Sequence, residues 1–255
     1  MNALLKTLGV VPLLFFYLLA AILIAILPVA GGMRRSLRIR TASFFARLAL
    51  VLLGIRMRVK HHERLHKHGG ARLIVANHVS YVDVLVIASL TPTVFITSVE
   101  MKQTPLLGSI ARFAGCLFVE RRRPSGLKEE IGAIARVLGQ GLSVVLFPEG
   151  TTSNGDRVQP FKNSLFDAAV AARAEVLPLC LRYVRINDES LTARNRDNLF
   201  YYGGVSFFRH FPRFLRLKSV EVEVMPLRAI KVHAHTSRKE LAALVHYAIS
   251  AAYHG

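Results

Sequence analysis

No side chain from Thr7 to Met33 carries a charge, and this stretch constrains the chain more than any other. Its core, VVPLLFFYLLAAILIAILPVAGG, is long enough to cross a hydrocarbon layer as a helix, which takes about 20 apolar residues. The segment reads as a membrane anchor. MRRSLRIR comes next, bringing Arg34, Arg35, Arg38 and Arg40, whereas the amino-terminal side offers only the chain amine and Lys6. The excess of cations after the apolar run places that end, together with the rest of the chain, in the cytoplasm. A basic flank on the far side of so long a run speaks against a cleaved signal peptide. A second apolar segment, TASFFARLALVLLGIRM (41–57), carries Arg47 at its middle and is short for a span. It reads as a helix in the membrane interface, paired with the first, so that residues 1–60 form a two-helix anchoring unit. A second crossing would return the remainder to the outside, and both topologies fit the residues.

Lysine and arginine number 34 against 16 acidic residues, a net charge of +18. Such a surface is drawn to anionic partners: phospholipid headgroups, nucleic acid or an acidic carrier protein. No nucleic-acid reading motif accompanies the charge, so an anionic membrane surface is the expected partner and nucleic acid is not. Cys116 and Cys180 lie in apolar runs without metal-ligand spacing and read as buried small hydrophobes.

From about residue 71 the texture becomes an α/β rhythm, and the domain that carries it is expected over residues 61–255. Apolar runs predict strands at Arg72–Ala76, Val94–Val99, Cys116–Glu120, Leu142–Phe147, Val176–Val184 and Ser219–Met225. Helical patterns fall between and after them, at 82–90, 105–114, 125–139, 162–174 and 237–252. Near-continuous apolar strands are those covered on both faces, so the expectation is a single mixed sheet flanked by helices. Residues 185–218 fit this rhythm poorly. Their aromatics and arginines suit either a membrane surface or a solvated loop with a short helix.

The stretch ANHVSYVDV (76–84) follows a predicted strand and carries the most chemistry. His78 and Asp83 are five apart, which on a straight helix leaves them roughly 140° from each other. Ser80-x-x-Asp83 resembles a capping arrangement with Ser80 as N-cap, placing His78 in the loop and Asp83 in the first turn. The carboxylate can then hold one ring nitrogen while the other faces a substrate, the arrangement of a general base. The competing structural reading is a strand-end histidine bonded to a capping aspartate. LFPEGTTSNGDRVQPFKNSLF (146–166) turns at a strand end and exposes backbone N–H groups and hydroxyls, where ligands bind in α/β sheets. GCLFVERRR (115–123) ends a strand in three arginines, which suit a phosphate or carboxylate. A hydrophilic loop and a solvated basic edge are the plain alternatives for these two.

Taken in order, N-H-x4-D, G-x-x-F-V-x-R, F-P-E-G-T and an apolar strand with an internal proline resemble the blocks of the glycerolipid acyltransferase family. Here they read Asn77-His78-x4-Asp83, Gly115 to Arg121, Phe147-Pro148-Glu149-Gly150-Thr151 and Val176-Leu177-Pro178-Leu179. The resemblance implies an O-acyltransferase in membrane lipid biosynthesis. His78 would deprotonate the free hydroxyl of a lysolipid acceptor and Asp83 would orient it. Arg121, Glu149, Gly150 and Thr151 would hold the headgroup, and Pro178 would shape the substrate or acyl pocket. Acyl-CoA or acyl carrier protein would supply the acyl group as a substrate, and neither a cofactor nor a metal is implied. Two departures stand out. Position 120 is Glu where the family usually has Asp. Position 152 is Thr where phosphatidate-forming members commonly have Arg, and F-P-E-G-T-T-S resembles the branch that acylates lyso-ornithine lipid. Arg157 or Lys162 could supply the missing cation.

His62-Glu63-Arg64-Leu65-His66 also matches the zinc-protease pattern H-E-x-x-H. It lies in a polar connector without the apolar face that a buried zinc helix needs, and residue 72, where the extended pattern requires a further histidine, is Arg. A zinc protease and a non-enzymatic basic membrane-binding protein are therefore the rival readings to the acyltransferase.

Overall fold

The computed structural model describes residues 3–65, 70–120 and 126–255. Two long helices, α1 (Ala3–Ile26) and α2 (Gly31–Leu53), pair as a hairpin. Gly9 makes the pairing close: a Cβ there would meet Leu52 Cδ1 at 2.5 Å. α2 runs unbroken through the arginines, which the sequence pattern sets between two separate segments. Arg34 makes this tolerable by donating to Leu27 O (2.9 Å) and Val29 O (3.3 Å) in the hairpin turn. Arg47 donates to Ser89 O at 2.7 Å, so the mid-helix charge faces the α/β domain. Ile39, Ala46, Leu50 and Leu53 are buried in the domain cores.

α1 is the described helix long and apolar enough to cross a membrane, and only 17% of its most apolar window is buried. Leu4, Leu8, Val11, Phe15, Leu19, Ile22 and Ile26 recur at helical spacing and are all exposed. Its other side is held to the domain. Lys6 is buried and donates to Leu53 O and to Leu217 O (2.6 Å), while Tyr17 Oη donates to Ile110 O (3.2 Å).

Residues 55–59, within the segment expected to anchor, form strand β1 (Ile55–Val59). It alternates apolar and charged side chains, as an edge strand with one wet face should. The chain continues through β2 (Arg72–Ala76), α3 (Val82–Leu90), β3 (Val94–Ser98), α4 (Val99–Gln103), α5 (Leu107–Phe113), β4 (Leu117–Val119), α6 (Leu127–Gly139) and β5 (Val144–Leu146). Then come α7 (Asp167–Ala172), β6 (Glu175–Ile186), the short β7 (Glu189–Ser190), α8 (Phe207–Leu215), β8 (Val220–Pro226) and α9 (Arg238–His254). The strands make one sheet in the order β1-β8-β6-β2-β5-β3-β4, with β7 added to β6. β6 runs antiparallel to β8 and β7, and the remaining pairs are parallel. This is the mixed sheet flanked by helices that the alternation predicts. Helix α4 and strands β1 and β7 are additions to the expected elements, and α8 is a short helix within the 185–218 stretch.

Two apolar layers cover the sheet. One joins α2, α3 and α8 to Ile74, Ala76, Phe147, Leu179 and Leu181; the other joins α6, α7 and α9 to Leu73, Val75, Val144, Leu146 and Val176. β2 and β5 are parallel neighbours, with Val75 beside Leu146. After β2 the chain goes to α3 on the first face; after β5 it goes to α7 on the second. Neighbouring parallel strands whose exits part to opposite faces open a crevice at their carboxyl ends, the place where α/β sheets bind ligands.

Candidate active site

His78 and Glu149 follow β2 and β5 at that crevice. Asn77 extends β2 with its side chain: Nδ2 donates to Leu181 O (2.9 Å) and Oδ1 accepts from Leu181 N (2.8 Å), a substitute for a ladder pair with β6. That bond fixes where the strand ends and turns His78 off its tip. The His78 ring lies on Phe147, with centroids 4.0 Å apart and planes 16° from parallel. Ser153 N donates to His78 O at 3.0 Å, closing the 146–166 loop onto the histidine.

Asp83 lies in the first turn of α3 and is fully buried. Its Oδ2 accepts from Val79 N (2.8 Å) and Ser80 N (2.9 Å), so that oxygen is an acceptor. His78 Nδ1 lies 2.8 Å from the same oxygen and must therefore carry the proton toward it. Nε2 is left as the free lone pair, with no hydrogen bond among the described residues. The His78 side chain is 17% exposed, enough to be reached from the crevice. The sequence pattern predicts Ser80 as the cap of α3. The helix instead begins after Tyr81, and Ser80 Oγ accepts from Val82 N (3.3 Å) and donates to Leu199 O (2.8 Å). The reciprocal half of the box is present in the Asp83–Ser80 N bond.

Glu149 braces the two loops. Oε1 accepts from His78 N (2.7 Å) and Oε2 from Gln159 N (3.0 Å). Burial raises its carboxyl to about 7, the two backbone donors partly offset that rise, and the nearby Asp83 adds to it. Gly150 follows with φ +79°, a conformation that suits glycine, and Lys162 lies over it: a Cβ there would meet Nζ at 2.9 Å. Thr151 is exposed at the loop surface. Arg121 lies outside the described residues.

Pro178 is apart from this group. Its neighbours Leu177 and Leu179 join the layer that holds Phe147, so alternation along β6 puts Pro178 on the opposite face. His62–Arg64 is one 3-10 turn with Glu63 largely exposed beside His61 and Arg64, and His66 lies outside the described residues. A 3-10 turn lacks the α-helical stacking of positions four apart on which the zinc pattern depends.

Two features of the site carry no local signal in the sequence. Tyr183, from β6, donates its phenol to Asp83 Oδ1 at 2.6 Å. Residues 199–201 seal the dyad loop, with Tyr201 N donating to Val79 O at 2.9 Å and Phe200 packed edge-on against Tyr183. Nothing in the apolar run of β6 marks Tyr183 as a partner of Asp83.

The family model described as Acyltransferase matches residues 56–182. A lyso-ornithine lipid O-acyltransferase of Rhizobium meliloti is 35% identical over 206 residues, covering 78% of this chain and 70% of that protein. The chain belongs to the acyltransferase family. A 1-acyl-sn-glycerol-3-phosphate acyltransferase of Neisseria gonorrhoeae is 35% identical to this acyltransferase over 60% of its chain and 59% of the relative. The crystal structure of the 1-acyl-sn-glycerophosphate acyltransferase of Thermotoga maritima has a TM-score of 0.70 with this acyltransferase at 20% identity. It covers 98% of this chain and 94% of that one, so the fold is shared along the whole length.

Proposed function

We propose that this acyltransferase moves a fatty acyl group onto the free hydroxyl of lyso-ornithine lipid, with His78 as base. The observation that carries the chemistry is the His78 ring, held at Nδ1 by a carboxylate oxygen that also takes two backbone donors, with Nε2 unbonded among the described residues and the side chain 17% exposed. Nε2 takes the acceptor's hydroxyl proton as its oxygen attacks the thioester carbonyl of acyl-CoA or acyl carrier protein. The tetrahedral adduct collapses, the C–S bond breaks, and the proton on Nε2 passes to the departing thiolate. Asp83 stabilises the imidazolium formed in between. No acyl-enzyme is required.

Two facts favour the ornithine acceptor: the length over which the Rhizobium meliloti relative matches, and Thr152 where a phosphate-binding guanidinium is common. The Neisseria relative keeps 1-acyl-sn-glycerol 3-phosphate as the second reading, with Lys162 beside Gly150 as the cation for its phosphate. Arg121 and Thr151 contribute to headgroup binding, and Glu149 and Gly150 fix the loop that carries it; Pro178, on the far face of the sheet, has no part in this reading.

The exposed stripe of α1 seats the domain on the bilayer while Lys6 and Tyr17 hold it close. The cytoplasmic leaflet suits the cations at Arg34–Arg40. Next to α1, α8 exposes Phe208, Arg209 and Arg213, a face suited to anionic headgroups. The acceptor is tested by offering a labelled acyl donor with each lysolipid to membranes containing the protein. Transfer at least about tenfold faster to lyso-ornithine lipid is expected; preference for the glycerol phosphate would overturn the assignment.

A further inference from the structure

Asp83 is fully buried, and three of its four hydrogen bonds fall on one oxygen. The other oxygen has a single partner among the described residues, the Tyr183 phenol at 2.6 Å. β6 delivers that phenol by ordinary alternation, one residue before an irregularity. The pairing with β8 shifts between Tyr183 and Arg185, so that Val184 is the extra residue. Alternation changes phase there: Leu177, Leu179, Leu181 and Tyr183 face the Phe147 layer before the bulge, and Ile186 faces it after. Val184 O accepts from Leu191 N (2.9 Å) and Phe200 flanks the tyrosine ring, so the bulge is held from two sides.

We propose that Tyr183 is a positioning residue for the His78–Asp83 pair, holding Asp83 by Oδ1 so that Oδ2 stays on the imidazole. The inference rests on the reading of His78 as base. Burial first, and then the charge of Asp83, raise the phenol well above its ordinary range, so it stays a donor at any working pH. Without it Oδ1 is a buried oxygen with no donor. The carboxylate then gains by turning toward other partners, and each degree of turn is taken from the bond to His78 Nδ1. Tyr183 is 4% exposed and its phenol is taken up by Asp83, out of an acceptor's reach, so the loss falls on the chemical step and not on binding.

The test is a double-mutant cycle with Tyr183→Phe and Asp83→Asn, run beside His78→Ala, measuring kcat and the KM for the acceptor. Tyr183→Phe is expected to lower kcat on the order of tenfold to a hundredfold, the worth of one hydrogen bond to a charged group, with KM nearly unchanged. In the Asp83→Asn background the same change should cost less than about threefold, because the oxygen it positions is no longer a carboxylate. A purely structural tyrosine would cost the same in both backgrounds. If Tyr183→Phe is too unstable to purify, the double variant, which holds no unpaired carboxylate, takes its place, and a cost above about threefold against Asp83→Asn alone overturns the positioning role. Wild-type kcat in Tyr183→Phe with an inactive His78→Ala overturns this proposal alone. Full activity in His78→Ala overturns the dyad and this proposal with it.

Discussion

Replacing Glu149 by Gln should change how stability depends on pH, and the structure sets both sign and size. Glu149 is 6% exposed and its carboxyl is raised from 4.5 to about 7, chiefly by burial. The folded protein therefore holds this proton more tightly than the unfolded chain does. The corresponding stability is fully present below about pH 4.5 and is lost as pH rises through 7. Between about pH 5 and about pH 8 the loss is about 2–3 kcal/mol, since one pKa unit is worth about 1.4 kcal/mol. The amide in Glu149→Gln does not titrate. It has one acceptor oxygen, so either His78 N or Gln159 N loses its partner, at about 1–3 kcal/mol across the whole range. Wild type should thus exceed the variant in stability at about pH 5, and the gap should narrow by about 2–3 kcal/mol at about pH 8. Denaturant unfolding of both proteins in detergent at the two pH values measures the gap directly. A gap that is constant, or that widens toward the higher pH, would refute the claim that burial governs this carboxyl.

Two further substitutions probe the loop and the membrane face. Gly150→Ala places a side chain at φ +79° against Lys162, and should lower stability by about 1–2 kcal/mol, read by the same unfolding assay. Unchanged stability would mean that the turn relaxes freely. Charge reversal of Arg209 and Arg213 together should weaken sedimentation with vesicles containing anionic phosphatidylserine by at least about tenfold, at roughly 1 kcal/mol for each lost attraction and more for each repulsion. Binding to zwitterionic phosphatidylcholine vesicles should stay the same. Equal binding to both vesicle types in wild type and variant would remove α8 from the membrane face.

The sequence is legible where local pattern encodes structure. β2 and β6 stand out because strands covered on both faces are apolar throughout, and α3 because a polar loop precedes its apolar run. The His78–Asp83 contact is legible because the two residues are close in sequence and linked by the turn that joins them. β1 is not, although Ile55-Arg56-Met57-Arg58-Val59 alternates cleanly. Its basic residues find partners far along the chain: Arg56 at Asp188 (3.2 Å) and at Glu221 on β8 (3.7 Å), Arg58 at Glu221 (3.4 Å), and Lys60, just beyond the strand, at Glu223. Without that distant strand the segment looks like the tail of the apolar run before it. α2 misleads for a similar reason. Arg47 reads as a charge in an apolar helix until α3 supplies the Ser89 carbonyl that it bonds. Tyr183 lies in a run chosen for burial, and only a contact between elements distant in sequence brings its phenol to Asp83. Glu149 is marked by the family's block, yet its two oxygens reach backbone N–H groups on separate loops, which no spacing could reveal.

Acyl transfer by His78→Ala is the most direct test of His78 as the base. Membranes holding equal amounts of wild type or variant would receive a labelled acyl donor and lyso-ornithine lipid, with 1-acyl-sn-glycerol 3-phosphate in parallel. A histidine that serves as general base contributes about 100- to 10,000-fold, so the variant should fall by at least about 100-fold on whichever acceptor the wild type uses. Transfer within about threefold of wild type would contradict the mechanism, since no general base is worth so little.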